Sequence, residues 1–188
     1  MIKEVTKIKP CTRRFTTGYY YSSDGWPSAN GTLDPSEDRL YLVPFTVSKG
    51  ASFDRLCCEI TTLRAGSNIR MGIFRDDGYG FPGVTIYGSG LISSATTGVK
   101  EQTIDEHLSR DVYWLGIVPQ DGATEPIFRA WSTSGMGSPQ LVTNSFQGTQ
   151  IYKAYQIDGI GGAIPSTLTG ETFVGASINP PKLRLRAA

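Results

Sequence analysis

The sequence is short of the side chains that carry catalysis and metal binding. Its 188 residues include one histidine, His107, and three cysteines, Cys11, Cys57 and Cys58. No second His or Cys stands near His107 at the spacing a zinc site needs. An odd number of cysteines with one adjacent pair is not a disulfide framework. Neighbours on a strand point to opposite faces, so Cys57 and Cys58 are poorly placed to bond each other. They read as small apolar residues of a reduced compartment. Long apolar runs are absent as well. No stretch approaches the roughly 18 residues of a membrane span, and the start, Met1-Ile-Lys-Glu-Val, lacks the apolar run of a signal peptide. The expectation is synthesis in a cytoplasm, with no membrane insertion. Helical periodicity is missing too: no apolar pattern of 3.6 residues lasts three turns, and only Gln102–Arg110 has room for a single helical turn.

Catalytic motifs are equally scarce. There is no Gly-x-Ser-x-Gly elbow. The glycine-rich stretches at Gly78–Gly83 and Gly159–Gly162 lack the Lys and Ser/Thr of a phosphate-binding loop, and no helical pattern follows them. His107, beside Asp105 and Glu106 in a polar stretch, reads as an exposed residue rather than a catalytic base. The chain is therefore expected not to be an enzyme.

What is present is turn formers and strand formers. Glycine is high at 22 residues with 11 prolines beside it, and there are 9 Tyr, 8 Phe and 3 Trp. Strand patterns fall at Gly18–Ser23, Arg39–Val47, Phe53–Thr62, Ile69–Arg75, Val84–Ser93, Val99–Ile104, Val112–Val118, Ile127–Trp131, Ile151–Ile157 and Leu183–Arg186. Ile69, Met71 and Ile73 alternate cleanly against Arg70 and Gly72, and Pro44 hints at an edge or a bulge. Many short strands separated by turns predict an all-β antiparallel sandwich, jelly-roll-like, beginning near residue 17. Residues 24–38, 132–150 and 158–181 are rich in turn formers and read as long surface loops.

The net charge is only +1, but its distribution is uneven. Lys3, Lys7, Lys9, Arg13 and Arg14 against Glu4 make residues 1–16 a basic arm, a candidate for attachment to an acidic partner surface. Aromatic interleaving is absent from residues 1–14, which argues against nucleic acid as the arm's partner. Lys182, Arg184 and Arg186 make the closing stretch basic too. Candidate ligand-binding residues are the loop aromatics Trp26 and Tyr79, on which a sugar ring can stack, with the neighbouring Asp76 and Asp77 to fix hydroxyls. Asp76-Asp77 before a glycine is also ordinary hairpin-turn chemistry, with calcium binding and the acid–base pair of a glycosidase as the further options there. Trp114 and Trp131 lie inside strand patterns and read as core.

Several runs are familiar together: Leu40-Tyr-Leu-Val-Pro-Phe-Thr-Val, Ala51-Ser-Phe-Asp-Arg-Leu, Ala65-Gly-Ser-Asn-Ile-Arg-Met-Gly-Ile-Phe-Arg-Asp-Asp-Gly, Phe81-Pro-Gly, Thr97-Gly-Val-Lys, Tyr113-Trp-Leu-Gly-Ile-Val-Pro-Gln and the closing Pro181-Lys-Leu-Arg-Leu-Arg. Over residues 17–188 this pattern resembles a jelly-roll-like module of tailed-bacteriophage virion proteins, which include tail fibres, minor tail proteins and head fibres or decorations. The resemblance implies a virion location and other virion proteins as partners. It also implies a symmetric homo-oligomer, with a trimer favoured, and loops presented to a host surface, where a glycan is a candidate ligand. It carries no agreed set of binding residues.

Overall fold

The structure is a computed structural model that describes residues 14–22, 29–122, 124–132, 154–176 and 178–188. Thirteen strands run through them: β1 (Tyr20–Ser22), β2 (Asn30–Leu33), β3 (Leu40–Val47), β4 (Ala51–Thr62), β5 (Asn68–Asp76), β6 (Pro82–Gly88), β7 (Ile92–Ser93), β8 (Gly98–Leu108), β9 (Asp111–Gln120), β10 (Ile127–Trp131), β11 (Ala154–Ile157), β12 (Val174–Ala176) and β13 (Arg184–Ala187). No helix occurs among the described residues. The strands form two antiparallel sheets packed against each other, a β-sandwich. The first sheet has the order β1-β13-β4-β10-β2 with β8 on the other edge of β4; the second has the order β12-β11-β3-β9-β5-β6 with β7 also on β5.

The core between the sheets follows from alternation. Leu56, Cys58 and Ile60 of β4 and Leu185 of β13 face Phe45 of β3, Ile73 of β5 and Leu115 of β9, all buried. Each such side chain contributes about 1.5–3 kcal/mol of burial. Aromatic rings close one end of this layer. Phe15 packs edge-on against Tyr21 and Phe53, with centroids 4.8 and 5.2 Å apart, and Phe53 packs edge-on against Phe45 at 5.8 Å. The chain thus joins the core by Phe15, and Gly18 N–H donates to the Ala187 carbonyl to tie the first strand to the last.

The second sheet is buried on both faces. Every residue of β3 except Thr46 is buried, and so is β9 from Tyr113 to Gln120. The outward set, Leu40, Leu42, Phe74, Trp114, Val118, Tyr155 and Ile157, forms a second cluster with Leu168. Its cover comes from residues 158–173. Leu168 is fully buried, Ile160 and Ile164 pack beside it, and Phe81 stacks between Tyr155 and Phe173 at 5.2 and 5.5 Å. Main-chain bonds from Leu168 N–H to Gly83 and from Thr85 N–H to Ser166 hold this strap on the edge of β6. Part of the stretch expected as a surface loop is therefore a lid on a core. Two strands with apolar residues on both faces demand a second cover, whatever the composition of the covering segment.

Other expectations shift for local reasons. Gln102–Leu108 is strand, not a helical turn: β8 alternates so that Ile104 and Leu108 turn inward while Glu101 and Thr103 face out. β2 lies inside the turn-rich 24–38 stretch and pairs only with β10; its sequence Asn-Gly-Thr-Leu carries no strand signal beyond Leu33. Pro44 pairs with Trp114 of β9, whereas β11 pairs only Leu40–Leu42 on the other side, so no described strand needs the N–H that proline lacks.

Gly72 and Gly116 are cross-strand partners, and the Phe74 ring lies over them. A Cβ on Gly116 would sit 2.8 Å from the ring and 3.0 Å from Leu40. Gly116→Ala is expected to cost about 1–3 kcal/mol by overpacking. Phe74→Leu in the same chain is expected to recover part of that cost. Urea denaturation of the single and double variants measures both, and additive losses would refute the close approach as the cause.

Candidate functional site

The outer face of the first sheet carries a groove of about 470 Å³. Its position follows from the pairing of β4. That strand pairs with β13 through Phe53–Cys57 and with β10 through Ile60–Thr62. The groove lies where one partner gives way to the other, and its walls come from β1, β4, β8, β10, β13 and the approach to β13. Tyr20, Cys57, Cys58, Glu59, Val99, Glu101, Arg129, Lys182 and Arg184 line it.

Alternation places these side chains. With Leu56, Cys58 and Ile60 inward, Cys57 and Glu59 face out; with Leu183 and Leu185 inward, Lys182, Arg184 and Arg186 face out. Arg184 is level with Cys57, and Cys57 with Glu101, in one rung across three strands. Two long side chains then cross the face. The Tyr20 hydroxyl donates to Glu101 Oε1 at 2.5 Å, spanning β13 and β4. Lys182 Nζ sits 4.0 Å from the Trp131 ring centroid and donates to Asn30 Oδ1 at 3.0 Å.

The charges divide into used and unused. Arg129 grips Glu59 with two bonds, Nη2 to Oε1 at 3.0 Å and Nε to Oε2 at 3.2 Å. Arg186 grips Asp54 in the same way at 2.8 and 2.7 Å, just beyond the groove. Arg184 makes no hydrogen bond or ion pair among the described residues. The Arg129 bonds hold the Glu59 carboxyl below its ordinary range. Burial, then the neighbouring Arg184, pushes the Lys182 ammonium below its usual range. Burial raises the Cys57 thiol to about 11 and raises Cys58 further. Both thiols are therefore protonated at neutral pH, without the thiolate that nucleophilic chemistry needs. A general acid for glycoside cleavage needs a raised carboxyl, and Glu59 is shifted the other way. The arrangement suits binding: an exposed phenol ring, an apolar wall at Val99, acceptors at Glu101 and donors at Arg184 and Lys182.

The residues expected from sequence stand elsewhere. Tyr79 is 87% exposed at the tip of the β5–β6 hairpin, on the other sheet. Asp76 and Asp77 build that hairpin: Asp76 Oδ1 accepts from Gly78 and Gly80 N–H at 2.8 and 3.2 Å, and Asp77 Oδ1 accepts from Tyr79 and Phe81 N–H at 2.7 and 3.2 Å. Asp76 Oδ2 takes the Trp114 indole N–H at 3.0 Å. Trp26, Lys3, Lys7, Lys9 and Arg13 lie outside the described residues, and Arg14 is exposed. His107 Nδ1 is 3.1 Å from Ser52 Oγ on the exposed β4–β8 ladder, and among the described residues no carboxylate bonds its other nitrogen. No group of three His, Cys, Asp or Glu among the described residues is placed to hold a metal ion. Trp131 is only half-buried and belongs to the groove side of the first sheet. The one sequence signal for the groove was the Lys182-x-Arg184-x-Arg186 alternation, which puts three cations on one face of a strand.

A second cavity, of about 330 Å³, opens near the far end of β4 between Asp34, Glu37, Arg64 and Glu125. Glu125 is buried, and Ser67 Oγ donates to its Oε2 at 3.1 Å. Burial raises its carboxyl above the ordinary range, with Glu37, Asp38 and Asp121 adding to the rise. Among the described residues no aromatic ring lines this cavity, and it offers a ligand less than the groove does.

No family model and no curated protein matches this chain.

The two glutamates give opposite pH signatures. A carboxyl held low stabilises the fold above its unfolded pKa, and that contribution is lost as pH falls through the folded value. A raised carboxyl favours the fold only below its unfolded pKa, and the fold weakens as pH rises through the folded value. Glu59→Gln is therefore expected to lower stability at pH 7 and change little at pH 3. Glu125→Gln is expected to raise stability at pH 7 and change little at pH 3. Urea midpoints at the two pH values check both signs. Thiol labelling at pH 8 is expected to spare Cys57 and Cys58 in the native protein and modify both in denaturant; native labelling of Cys57 would mean that the groove floor is open.

Proposed function

We propose that the chain is a structural module of a bacteriophage virion, a tail-fibre, tail-tip or head-decoration subunit. In this reading its sandwich displays the groove of the first sheet to a glycan on the host surface. The observation that carries the binding half is the groove itself: a polar cleft on a rigid sheet, with an exposed tyrosine beside charged hydrogen-bonding groups. Few convergent polar groups against an aromatic wall is the usual chemistry of sugar capture, because sugars offer both a C–H face and hydroxyls. The virion half rests on the sequence resemblance and on the basic segment ahead of the sandwich, which suits docking on an acidic particle surface. Symmetric assembly, a trimer foremost, belongs to the same proposal, with other virion proteins as partners. A free carbohydrate-binding module is the second reading, favoured by the same groove.

The test has two parts. An antibody to the chain is expected to label phage particles, and sedimentation to show a closed oligomer. A glycan panel is expected to return binding that Tyr20→Ala lowers at least several-fold. Unlabelled particles with a positive panel would leave the free binding module. A blank panel would remove glycan binding from both readings.

A further inference from the structure

The groove holds an imbalance that its own residues do not resolve. Glu59 is taken up by Arg129 through both oxygens, and Glu101 accepts the Tyr20 hydroxyl. Among the described residues no group accepts a hydrogen bond from the Arg184 guanidinium, which lies in the cleft beside Lys182. The two cations stand two residues apart, which puts them on one face of the chain, and Arg184 raises the cost of charge on Lys182. Lys182 is fixed by Asn30 and by the Trp131 ring, so it cannot swing clear without losing both contacts. Arginine left unpaired beside a second cation is a docking point for an oxyanion, which its planar fork meets with two parallel bonds. Tyr20 lines the same cleft and is 40% exposed. Arg186 lies over the ring at 5.9 Å from its centroid, and the hydroxyl is anchored on Glu101. The ring is thus held in place before any ligand arrives, and less entropy is lost on binding.

We infer that the groove takes an acidic sugar, its oxyanion bound by Arg184 and Lys182 and its ring carried against Tyr20. The inference rests on the reading of the groove as a glycan site and narrows the ligand class. Both a carboxylate of a uronic acid and a phosphate on a sugar carry the required chemistry. A neutral glycan would cover the Arg184 guanidinium without offering it an oxyanion, which is the costly arrangement in a partly dried cleft. Glu101 sets the other end: it repels a second negative charge and accepts a hydroxyl, so one oxyanion per bound residue fits better than a densely charged polymer.

The experiment uses the full chain and four immobilised probes: oligogalacturonate, a mannose-6-phosphate oligosaccharide, a neutral oligomannose and polyaspartate. Wild type is expected to bind one of the two acidic sugars at least tenfold more tightly than the neutral one, and polyaspartate no better than the neutral sugar. Whichever acidic probe binds identifies the source of the oxyanion. Arg184→Gln is expected to lose about tenfold or more on that probe, while Arg184→Lys keeps part of it and Glu125→Gln none of the loss. Nitrogen NMR of the Lys182 side chain is expected to show its pKa rising on ligand addition, which a merely structural role for Lys182 would not produce. Equal binding of neutral and acidic sugars, unchanged in Arg184→Gln, would overturn the inference and leave the glycan site standing. Equal binding of polyaspartate would overturn it as a generic cationic patch. Binding of none of the four sinks it together with the glycan reading.

Discussion

Strand β4 runs twelve residues, Ala51–Thr62, and no strand on its second edge matches that length. β8 follows it along one side from Ala51 to Ile60, but the other side is shared between β13 and β10. A strand that changes partner cannot keep a flush surface at the change, and the side chains there spread apart. The groove is the result. The same alternation that sends Leu56, Cys58 and Ile60 into the core sends Cys57 and Glu59 to its floor, so the core and the site are two faces of one ladder.

The two sheets pay for burial differently. The first buries one face and leaves the other for charged side chains, held by paired contacts such as Arg129 with Glu59 and Arg186 with Asp54. Those pairs are partly exposed, and each adds little to stability on its own. They order the face, fixing which charges are spent and which remain. The second sheet gives up both faces. Its outward apolar cluster needs the strap of residues 158–173, with Leu168 and Phe173 docked on Trp114 and Tyr155. That sheet is a rigid support, and the open face of its partner is where chemistry is exposed.

The hairpin acids illustrate how one residue type fits two uses, a turn and a ligand site. Asp76 and Asp77 stand beside an exposed Tyr79 in a loop, the arrangement expected of a sugar site. In the folded chain their oxygens accept four loop amides and one indole N–H. Short side chains next to glycines satisfy their own backbone first, because those amides are nearest and have no other acceptor. The groove residues gave no comparable local signal. Tyr20, Glu101 and Arg184 are separated by up to 164 positions in the chain and meet only through the ladder from β1 through β13 and β4 to β8.

The sequence alone determined the fold class and most strand positions. Period-two alternation, β-branched and aromatic residues and dense turns leave few choices for the backbone, and these signals are local. It also determined that Cys57 and Cys58 would point apart. Tertiary structure alone decided that residues 158–173 cover a core, that Gln102–Leu108 continues a strand, and that β2 exists at all, since its pairing with β10 supplies what its own residues lack. It also decided the groove. Which charges are neutralised and which stay free depends on distances between strands distant in sequence, and no local pattern encodes a distance of that kind.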